Sequence, residues 1–503
     1  MTAVKRTHWW HVAPLLAVLP ALLWCGRQTS SAGPTTPPPT GPDSSVSGHD
    51  WTQFGWDVAR SGASTAPTGI TAANVTSMTR QQVQLGGTVD ASAIYLSGVE
   101  VNGAAHNVFF LTTTYGKTVA VDADSGAILW TYTPASYASV AGSNEITNAT
   151  PVADPDRQNI YAASPDGHIQ KLAIANGQAV WSTPITLLPQ FEKLASSLNY
   201  FAGHVIAVTG GYIGDAPPYQ GHVAILDAAS GQILHVWNSL CSNLTALTQP
   251  SQCAQSRSAI WGRAGAVIDS TTGNIFVSTG NGFWDGNTNW GDAVIQLDST
   301  ATTILGNYTP TNTAGLAAAD LDIGSSSPVL LGGGYLAQGG KDGKIRLLTT
   351  AAIAGATPHQ GGEAQVVSNP SATYLFTAPA VLQTSSGTSL FVADNGGTAA
   401  WTLVGGQLSS AWNNGSAGTS PVIAGGLLFI YDPGGALRIY QPASGTAIAA
   451  LPCGGGHWNS PIVADGRIAL PEGNANTHLT TGILDIWRLP SSGALHTSGH
   501  APR

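Results

Sequence analysis

One theme recurs eight times between residues 86 and 490, namely an apolar, β-branched run that ends in a polar turn containing glycine. The copies begin at Asn107, Asn159, His204, Asn274, Tyr335, Ser389, Leu427 and Arg467. Their starts lie 52, 45, 70, 61, 54, 38 and 40 residues apart. Strands that repeat in this way are typical of β-propellers, in which each repeat folds into one four-stranded sheet. The sequence therefore predicts an all-β, eight-bladed β-propeller with four-stranded antiparallel blades over residues 49–490.

The composition agrees with this fold and argues against several others. Charged residues make up only 9% of the chain, and 61 glycines interrupt it, which disfavours coiled coils and long helical bundles. Helix content should be low, with residues 187–198 as the best candidate for a short helix. The net charge is −9 and the sequence contains no basic run, so we expect no nucleic-acid partner.

The two ends of the chain differ from the repeats. Residues 1–25 place Lys5 and Arg6 ahead of an apolar stretch too short to cross a bilayer, which is typical of a secretory signal peptide. Residues 26–48 are rich in Ser, Thr and Pro and predict an extended linker, and residues 491–503 predict a disordered tail. We expect an exported protein, periplasmic or extracellular, either released from its signal or lipid-anchored through Cys25. No later segment is apolar and long enough to cross a membrane.

The remaining cysteines indicate one disulfide. An exported chain meets oxidising conditions, so we expect a bridge between Cys241 and Cys253 that closes a long loop. Cys453 is then left over and is interpreted as a buried thiol, because only His457, four residues away, offers a base nearby in sequence.

A second theme follows several of the apolar runs. Residues 120–130 read AVDADSGAILW, residues 171–181 read KLAIANGQAVW, and residues 226–237 read LDAASGQILHVW. The pattern predicts a strand, a tight turn that needs glycine, and an outer strand whose Trp covers the seam to the neighbouring blade. Asp298 ends a strand in the same way but lacks the glycine, so that copy is degenerate.

These AxDxxxGxxxW repeats resemble the Trp-docking motifs of the pyrroloquinoline quinone (PQQ) type β-propeller family, which includes quinoprotein alcohol dehydrogenases and non-enzymatic secreted proteins. The resemblance in organisation extends over residues 51–490. It implies that an N-terminal strand closes the ring beside the last blade. In the dehydrogenases, PQQ lies over the central funnel, a Trp stacks against it, and a calcium ion bridges cofactor and protein. PQQ and calcium are therefore the cofactors that the resemblance implies.

Two side chains match positions of the family's calcium ligands. Asn281 lies in STGNGFW (278–284), which resembles the family segment GTGNGxxW, whose Asn oxygen ligates calcium. Asp215 lies in GGYIGDAPPYQG (210–221), where the dehydrogenases carry a longer Glu and where Gln220 replaces an Arg. The resemblance implies Asn281 and Asp215 as metal ligands, while the residues themselves also allow an Asn and an Asp that only shape turns.

Three further residues match the cofactor and catalytic positions. Trp261, in AIWGR, lies near the family's stacking Trp, and Lys341, in GGKDG, matches a Lys that can pair with a cofactor carboxylate. Asp322, in DLDIGSSSPVLL, resembles the catalytic base, with Asp320 as the competing candidate. The alternatives are a core or seam Trp, a solvated turn Lys, and an Asp that binds turn amides.

Other features weaken the enzymatic interpretation. No two cysteines adjoin, so the neighbouring-Cys disulfide of many dehydrogenases has no counterpart. No CxxCH segment occurs to hold a haem, so electrons from any oxidation would pass to a separate carrier. The loop 285–292 is rich in oxygen ligands, but a polar surface loop is the simpler interpretation.

Two function classes remain. The first is a non-catalytic module that binds a small molecule or an envelope protein through its funnel and loops, and the incomplete site favours it. The second is a PQQ- and calcium-dependent dehydrogenase that oxidises an alcohol. The two differ in geometry, because the enzyme requires Asp215, Trp261, Asn281, Asp322 and Lys341 to converge at one funnel mouth.

Overall fold

The computed structural model describes residues 49–490. This part of the chain forms eight four-stranded antiparallel sheets and one two-stranded ribbon. The innermost strands of neighbouring sheets contact each other, and the first blade contacts the last, so the sheets are the blades of a closed propeller. The predicted eight-bladed β-propeller is confirmed. The predicted signal peptide (1–25), linker (26–48) and tail (491–503) lie outside the described residues.

The strands are numbered in chain order. Those of the first half are β1 (Thr79–Leu85), β2 (Ile94–Val101), β3 (Ala104–Thr112), β4 (Thr118–Asp122), β5 (Ile128–Tyr132), β6 (Val152–Ala153), β7 (Asn159–Ala163), β8 (His168–Ala173), β9 (Ala179–Pro184), β10 (Glu192–Lys193), β11 (Asn199–Phe201), β12 (His204–Val208), β13 (Gly210–Gly211), β14 (His222–Asp227), β15 (Ile233–Asn238), β16 (Val267–Ile268), β17 (Ile275–Ser278), β18 (Val294–Leu297) and β19 (Ile304–Tyr308).

Those of the second half are β20 (Val329–Gly332), β21 (Tyr335–Gly339), β22 (Lys344–Thr349), β23 (Gln365–Ser368), β24 (Ala380–Thr384), β25 (Gly387–Ala393), β26 (Thr398–Val404), β27 (Gln407–Asn413), β28 (Val422–Ala424), β29 (Leu427–Asp432), β30 (Ala436–Tyr440), β31 (Ala447–Pro452), β32 (Ile462–Ala464), β33 (Arg467–Glu472) and β34 (Gly482–Arg488). The two α-helices of the described chain are α1 (Tyr137–Val140) and α2 (Thr313–Ala318).

The blades follow the chain in order. They are β2–β5, β6–β9, then β11 with β12, β14 and β15, then β16–β19, β20–β23, β24–β27, β28–β31, and finally β32–β34 with β1. Strands β10 and β13 form the two-stranded ribbon beside the third blade.

Strand β1 supplies the outermost strand of the last blade, as the resemblance implied. It pairs antiparallel with β34, from Thr79 opposite Arg488 to Leu85 opposite Gly482. Arg80 fastens this closure, because its guanidinium nitrogens lie 2.8 and 2.6 Å from the oxygens of the fully buried Asp485 and 2.8 Å from Glu472. The two ends of the propeller are thus joined by backbone pairing and by a buried ionic cluster.

The predicted Trp docking is present at several seams. Trp130 donates its indole N–H to Ile174 of the next blade (2.8 Å), and its ring lies against Gly177. Gly177 has a positive φ of 70°, and a Cβ there would lie 2.5 Å from the ring, so only glycine suits both the turn and the contact. Trp181 repeats the arrangement on Ala228. At the degenerate copy, the Trp237 indole N–H has no hydrogen-bond partner among residues 49–490.

The prediction of a helix over residues 187–198 is wrong. The segment instead contains β10, whose Glu192 is buried and accepts hydrogen bonds from the Gln220 amide (3.1 Å) and the His222 ring. Pro189 cannot donate to a helical ladder, and these tertiary hydrogen bonds hold the segment extended. The predicted disulfide between Cys241 and Cys253 is confirmed.

Cys453 is a free, partly buried thiol whose pKa burial raises to about 12, so it is not an activated nucleophile. Its neighbour in sequence, His457, pairs with Asp90 at 2.8 Å. No helix among residues 49–490 is long and apolar enough to cross a membrane.

Candidate functional site

A cavity of about 360 Å³ opens on the axis of the propeller. Its walls come from segments that precede the innermost strands of several blades, among them Asn148, Arg263, Ser325, Phe376 and Trp458. The volume is within the range of small-molecule sites. Because several blades contribute to its walls, the cavity is the central funnel of the propeller.

Asn281 lies just beneath the cavity lining, after the end of β17, and is 2% exposed. Its amide nitrogen donates to Asp320 Oδ1 at 2.6 Å, which leaves Asn281 Oδ1 without a hydrogen-bond partner among residues 49–490. A buried amide oxygen without a protein donor is uncommon in a folded protein, and water, a ligand or a cation can satisfy it. The oxygen is thus available to a metal ion.

The residue before Asn281 is Gly280, and the close packing around it leaves no room for a side chain. A Cβ on Gly280 would lie 2.9 Å from Trp261 Cζ3 and 3.1 Å from Asp322 Oδ1. Only glycine therefore allows Asn281, Trp261 and Asp322 to meet at one point.

Trp261 is partly exposed and lines the cavity. Its indole N–H donates to Gly211 O at 2.9 Å, and a Cβ on Gly210 would lie 2.5 Å from its ring. The ring is therefore fixed at its edges while it borders the cavity. This is the arrangement that a flat aromatic ligand needs for stacking.

Lys341 lies in the turn between β21 and β22, and its side chain folds inward and is only 13% exposed. Its ammonium lies 2.7 Å from Asp320 Oδ1, 2.6 Å from Asp322 Oδ2 and 5.4 Å from the centre of the Trp261 ring. Burial opposes the charge, but Asp322 and Asp320 outweigh it and raise the pKa of Lys341. Lys341 is therefore not a solvated turn residue.

Asp322 is fully buried behind Lys341 and Asp320, while Asp320 itself lines the cavity with its side chain 62% exposed. Burial raises the pKa of Asp322 to about 6 in spite of the adjacent Lys341. Oδ1 of Asp322 has no hydrogen-bond partner among residues 49–490. The group combines the basicity of a general base with a position just below the cavity surface.

Asp292 is a neighbour that sequence reasoning missed. It is fully buried, and burial together with the charge of Asp322 raises its pKa to about 8. Its Oδ1 accepts from the Ile323 amide at 3.2 Å, whereas Oδ2 has no partner within the described chain. Its loop was interpreted as polar surface. That holds for Asp285, which accepts from the amides of residues 287–289, but not for Asp292.

Asp215 lines the same cavity as Lys341, and the charge of Lys341 acts to lower the pKa of Asp215. Its carboxylate accepts from the Tyr219 hydroxyl at 3.1 Å, and burial raises its pKa against that hydrogen bond. The charge of Asp215 in turn raises the pKa of Asp322, so the two carboxylates share one electrostatic environment. Gln220 points elsewhere, because its amide group bonds to Thr248 and Leu240 rather than lining the cavity.

The structure thus brings all five predicted residues to one place: Asp215, Trp261 and Lys341 line the cavity, and Asn281 and Asp322 lie directly beneath the lining. No three His, Cys, Asp or Glu side chains between residues 49 and 490 form a metal site by themselves. A cation here would need the Asn281 oxygen and oxygens of a bound ligand as well. The unpartnered oxygens of Asn281, Asp292 and Asp322 are the hard donors that calcium prefers, so these residues fit such a cation.

Sequence reasoning also missed Lys193 and Arg263, which line the same cavity. Arg263 is two residues from Trp261 in AIWGR, and that proximity was the only sequence signal for it. Lys193 lies in the segment 187–198 that was predicted as a helix, and that prediction gave no reason to place it at the cavity.

A family model described as "outer membrane protein assembly factor BamB" matches residues 60–299. No curated protein matches the sequence. The model is one of PQQ-type repeats, and together with the fold it confirms the resemblance to PQQ-type β-propellers.

Solved quinoprotein dehydrogenases have a similar fold. The quinohemoprotein alcohol dehydrogenase of Comamonas testosteroni is 15% identical, with a TM-score of 0.63 over 90% of this chain and 82% of that chain. The quinohemoprotein alcohol dehydrogenase ADHIIG of Pseudomonas putida HK5 is 13% identical, with a TM-score of 0.65 over 91% and 82%. A europium-containing methanol dehydrogenase is 14% identical, with a TM-score of 0.64 over 88% and 99%. At these identities the likeness establishes the fold.

Proposed function

We propose that this PQQ-type β-propeller is a PQQ- and calcium-dependent dehydrogenase that oxidises an alcohol. The observation that carries the proposal is the convergence of Asp215, Trp261, Asn281, Asp322 and Lys341 at one axial cavity, with buried oxygens of Asn281 and Asp322 left without donors. That convergence was the geometric requirement that separated the enzyme from the binding module. It outweighs the missing Arg, because Gln220 does not face the cavity.

Different residues of the site would hold the metal ion and the cofactor. Asn281 Oδ1 and Asp215 would hold calcium, and Trp261 would stack against PQQ. When bound, PQQ supplies a quinone that accepts two electrons, and calcium acts as a Lewis acid. Lys341 fixes the Asp322 carboxylate and adds positive charge beside an anionic cofactor.

Asp322 would take the proton of the alcohol hydroxyl. A pKa near 6 leaves the carboxylate ionised at neutral pH, and it is more basic than an ordinary Asp. Asp320 is the competing base, because it lines the cavity directly, but its exposure and its bonds to Asn281 and Lys341 favour a positioning role. The two candidates can be separated by mutation.

The second candidate function is a binding module that holds a ligand without turnover. The ion pair with Lys341 and the position of Asp322 behind the lining favour it. In either case we propose that the protein acts in the cell envelope or outside the cell. For the enzyme, electrons would pass to a separate carrier, because the sequence has no haem-binding CxxCH segment.

The test is reconstitution of the full chain with PQQ and calcium, followed by assay of linear, branched and aromatic alcohols with an artificial electron acceptor. We expect D322N to lose at least about 100-fold in kcat with PQQ still bound, since general-base catalysis contributes that much. D320N should retain more activity, and D156N, at an exposed loop position, should match the unmodified chain. PQQ binding without oxidation of any alcohol would favour the binding module. Absence of PQQ binding would contradict both the cofactor and the enzyme.

A further inference from the structure

The cavity lining carries two cations that the proposed site does not use. They are Lys193 and Arg263. Each lies on a different element, because Lys193 ends the β10 strand and Arg263 precedes β16. Their charges act on each other, since Arg263 contributes to lowering the pKa of Lys193. Two like charges in one cavity are costly unless an anion joins them.

The ribbon of β10 and β13 directs Lys193 into the cavity. Lys193 pairs across the ribbon with Gly210, and its neighbour Glu192 turns into the blade toward His222. Because successive strand residues point to opposite faces, Lys193 faces the axis. Within residues 49–490 its ammonium makes no hydrogen bond or ion pair. Burial lowers the pKa of Lys193 to about 8, as expected of an amine whose partner is missing.

Arg263 is held in place by hydrogen bonds to backbone carbonyls. It therefore contributes positive charge to the cavity but few free N–H donors. Its terminal nitrogens donate to the carbonyls of Ala195 (3.1 Å), Asp90 (3.0 Å) and Asn148 (3.2 Å), and it is 5% exposed. These neutral acceptors leave the guanidinium charge without a carboxylate partner in the described chain.

The nearest acid, Asp90, offsets part of this positive charge, because its carboxylate acts to raise the pKa of both Lys193 and Arg263. The Asp90 carboxylate accepts from His457 Nδ1 (2.8 Å), Trp458 N (2.8 Å) and Ala475 N (3.0 Å), so its lone pairs are used by other groups. The cavity lining therefore keeps a free ammonium next to a fixed guanidinium charge.

The whole cavity is bipolar and flanked by aromatic rings. Asp215 and Asp320 line it together with Lys193 and Arg263, and Trp261 and Trp458 border the space. The acid whose charge acts on Lys193 and Arg263 is Asp90, so these two cations are separate from Asp215 and Asp320. Such a cavity suits a flat molecule with a carboxylate at one end. Two cations against the one Asp90 carboxylate leave a net charge of about +1, which matches a carboxylate better than the two charges of a phosphate monoester.

We propose that Lys193 and Arg263 form an anion-binding subsite that holds a carboxylate of an aromatic molecule in the axial cavity. The carboxylate belongs either to the cofactor or to a substrate, and in this respect the inference deepens the proposed function. Lys193 supplies the hydrogen bonds, and Arg263 supplies a fixed positive charge behind them.

The experiment measures binding to the full chain by calorimetry with two matched pairs of probes. One pair is 1-naphthoate and the uncharged 1-naphthamide, and the other is PQQ and its trimethyl ester. We expect the unmodified protein to prefer each anion to its neutral counterpart by about tenfold or more. K193M should lose the preference, K193R should keep most of it, and K344M, on the exposed part of β22, should keep all of it.

The probes distinguish a carboxylate of the cofactor from a carboxylate of a substrate. They also test the subsite and the proposed function independently of each other. Weaker PQQ binding by K193M, with unchanged binding of the ester, assigns the carboxylate to the cofactor. Naphthoate binding to the PQQ-loaded protein that depends on Lys193 assigns it to a substrate. A Lys193-dependent preference for naphthoate without PQQ binding supports the subsite and contradicts the proposed function. If K193M and K193Q, both folded by circular dichroism, bind both anions as tightly as the unmodified chain, the subsite is overturned.

Discussion

Lys341 Nζ lies 2.6 Å from Asp322 Oδ2, and the Lys341 backbone amide also donates to the Asp322 carbonyl at 2.9 Å. The turn between two strands is thereby tied to the segment that precedes its own blade. Because Asp322 is fully buried, this ammonium is what keeps its carboxylate ionised near neutral pH. The pair links the stability of the fifth blade to the chemistry of the cavity.

The first prediction concerns this pair. K341M leaves Asp322 buried without its cation, and we expect a loss of about 3 kcal/mol in the free energy of unfolding at pH 7.5. The loss should shrink below pH 6, where Asp322 takes up a proton. Urea unfolding across this pH range measures it, with K341R as the variant that keeps the charge. An equal loss at all pH values would show that the ion pair is not its cause.

The second prediction concerns Asp292. In the folded protein its carboxyl keeps a proton up to about pH 8, whereas its usual pKa is 3.8, so the folded state binds the extra proton between these values. Its contribution to stability is therefore present at low pH and is lost as the pH rises toward 8. D292N should stabilise the metal-free protein at pH 8 by at least about 1.4 kcal/mol, the equivalent of one pKa unit. D156N is the matched control, and calcium should reduce the difference.

The third prediction tests the close approach at Gly280. G280A places a methyl group against Trp261 and Asp322, which should cost about 1–3 kcal/mol and weaken ligand binding. G315A in helix α2 is the matched control, because its Cβ would enter open space and should be neutral or stabilising. Thermal unfolding of both variants measures the effect. A neutral G280A would mean that the segment is looser than the contacts indicate.

The fourth prediction concerns ring closure. R80M removes the cation that bridges Asp485 and Glu472, and burial, together with Glu472, already raises the pKa of Asp485 to about 7. We expect a loss of about 3–5 kcal/mol at pH 8 and a smaller loss at pH 6, where Asp485 is protonated. Hydrogen exchange should show faster opening of β1 and β34 than of the other blades. K344M should leave this exchange unchanged.

The repeat period and the Trp motifs made the blade number and the seam contacts predictable, and the resemblance to PQQ-type β-propellers implied the ring closure. The first two follow from motifs that recur among the repeats, and the contact of Trp130 with Gly177 of the next blade is visible as a spacing. The side-chain geometry of the site was not predictable from the sequence, because it depends on which residues of different blades and loops contact each other in the fold. Asp285 and Asp292 belong to one polar loop, yet the first turns to the backbone and the second into the core.

The position of Lys193 also could not be predicted from the sequence, because it depends on a tertiary contact. Its segment has the composition of a short helix, but the buried Glu192 beside it bonds across the blade and imposes an extended ribbon. Only that tertiary contact directs Lys193 into the cavity. Resemblance to a family located the positions of Asp215, Asn281 and Asp322, while their hydrogen bonds and burial required the fold.

The most direct measurement is a titration of the full chain with PQQ, in calcium and in chelator, followed by Trp fluorescence. The proposed site predicts that PQQ quenches the Trp fluorescence saturably and only when calcium is present. In N281A, either the quenching disappears or it no longer depends on calcium. N312A, which removes an exposed amide near helix α2, should behave like the unmodified chain. Quenching that is equal in chelator and in N281A, or no quenching at all, would contradict a quinoprotein site in this propeller.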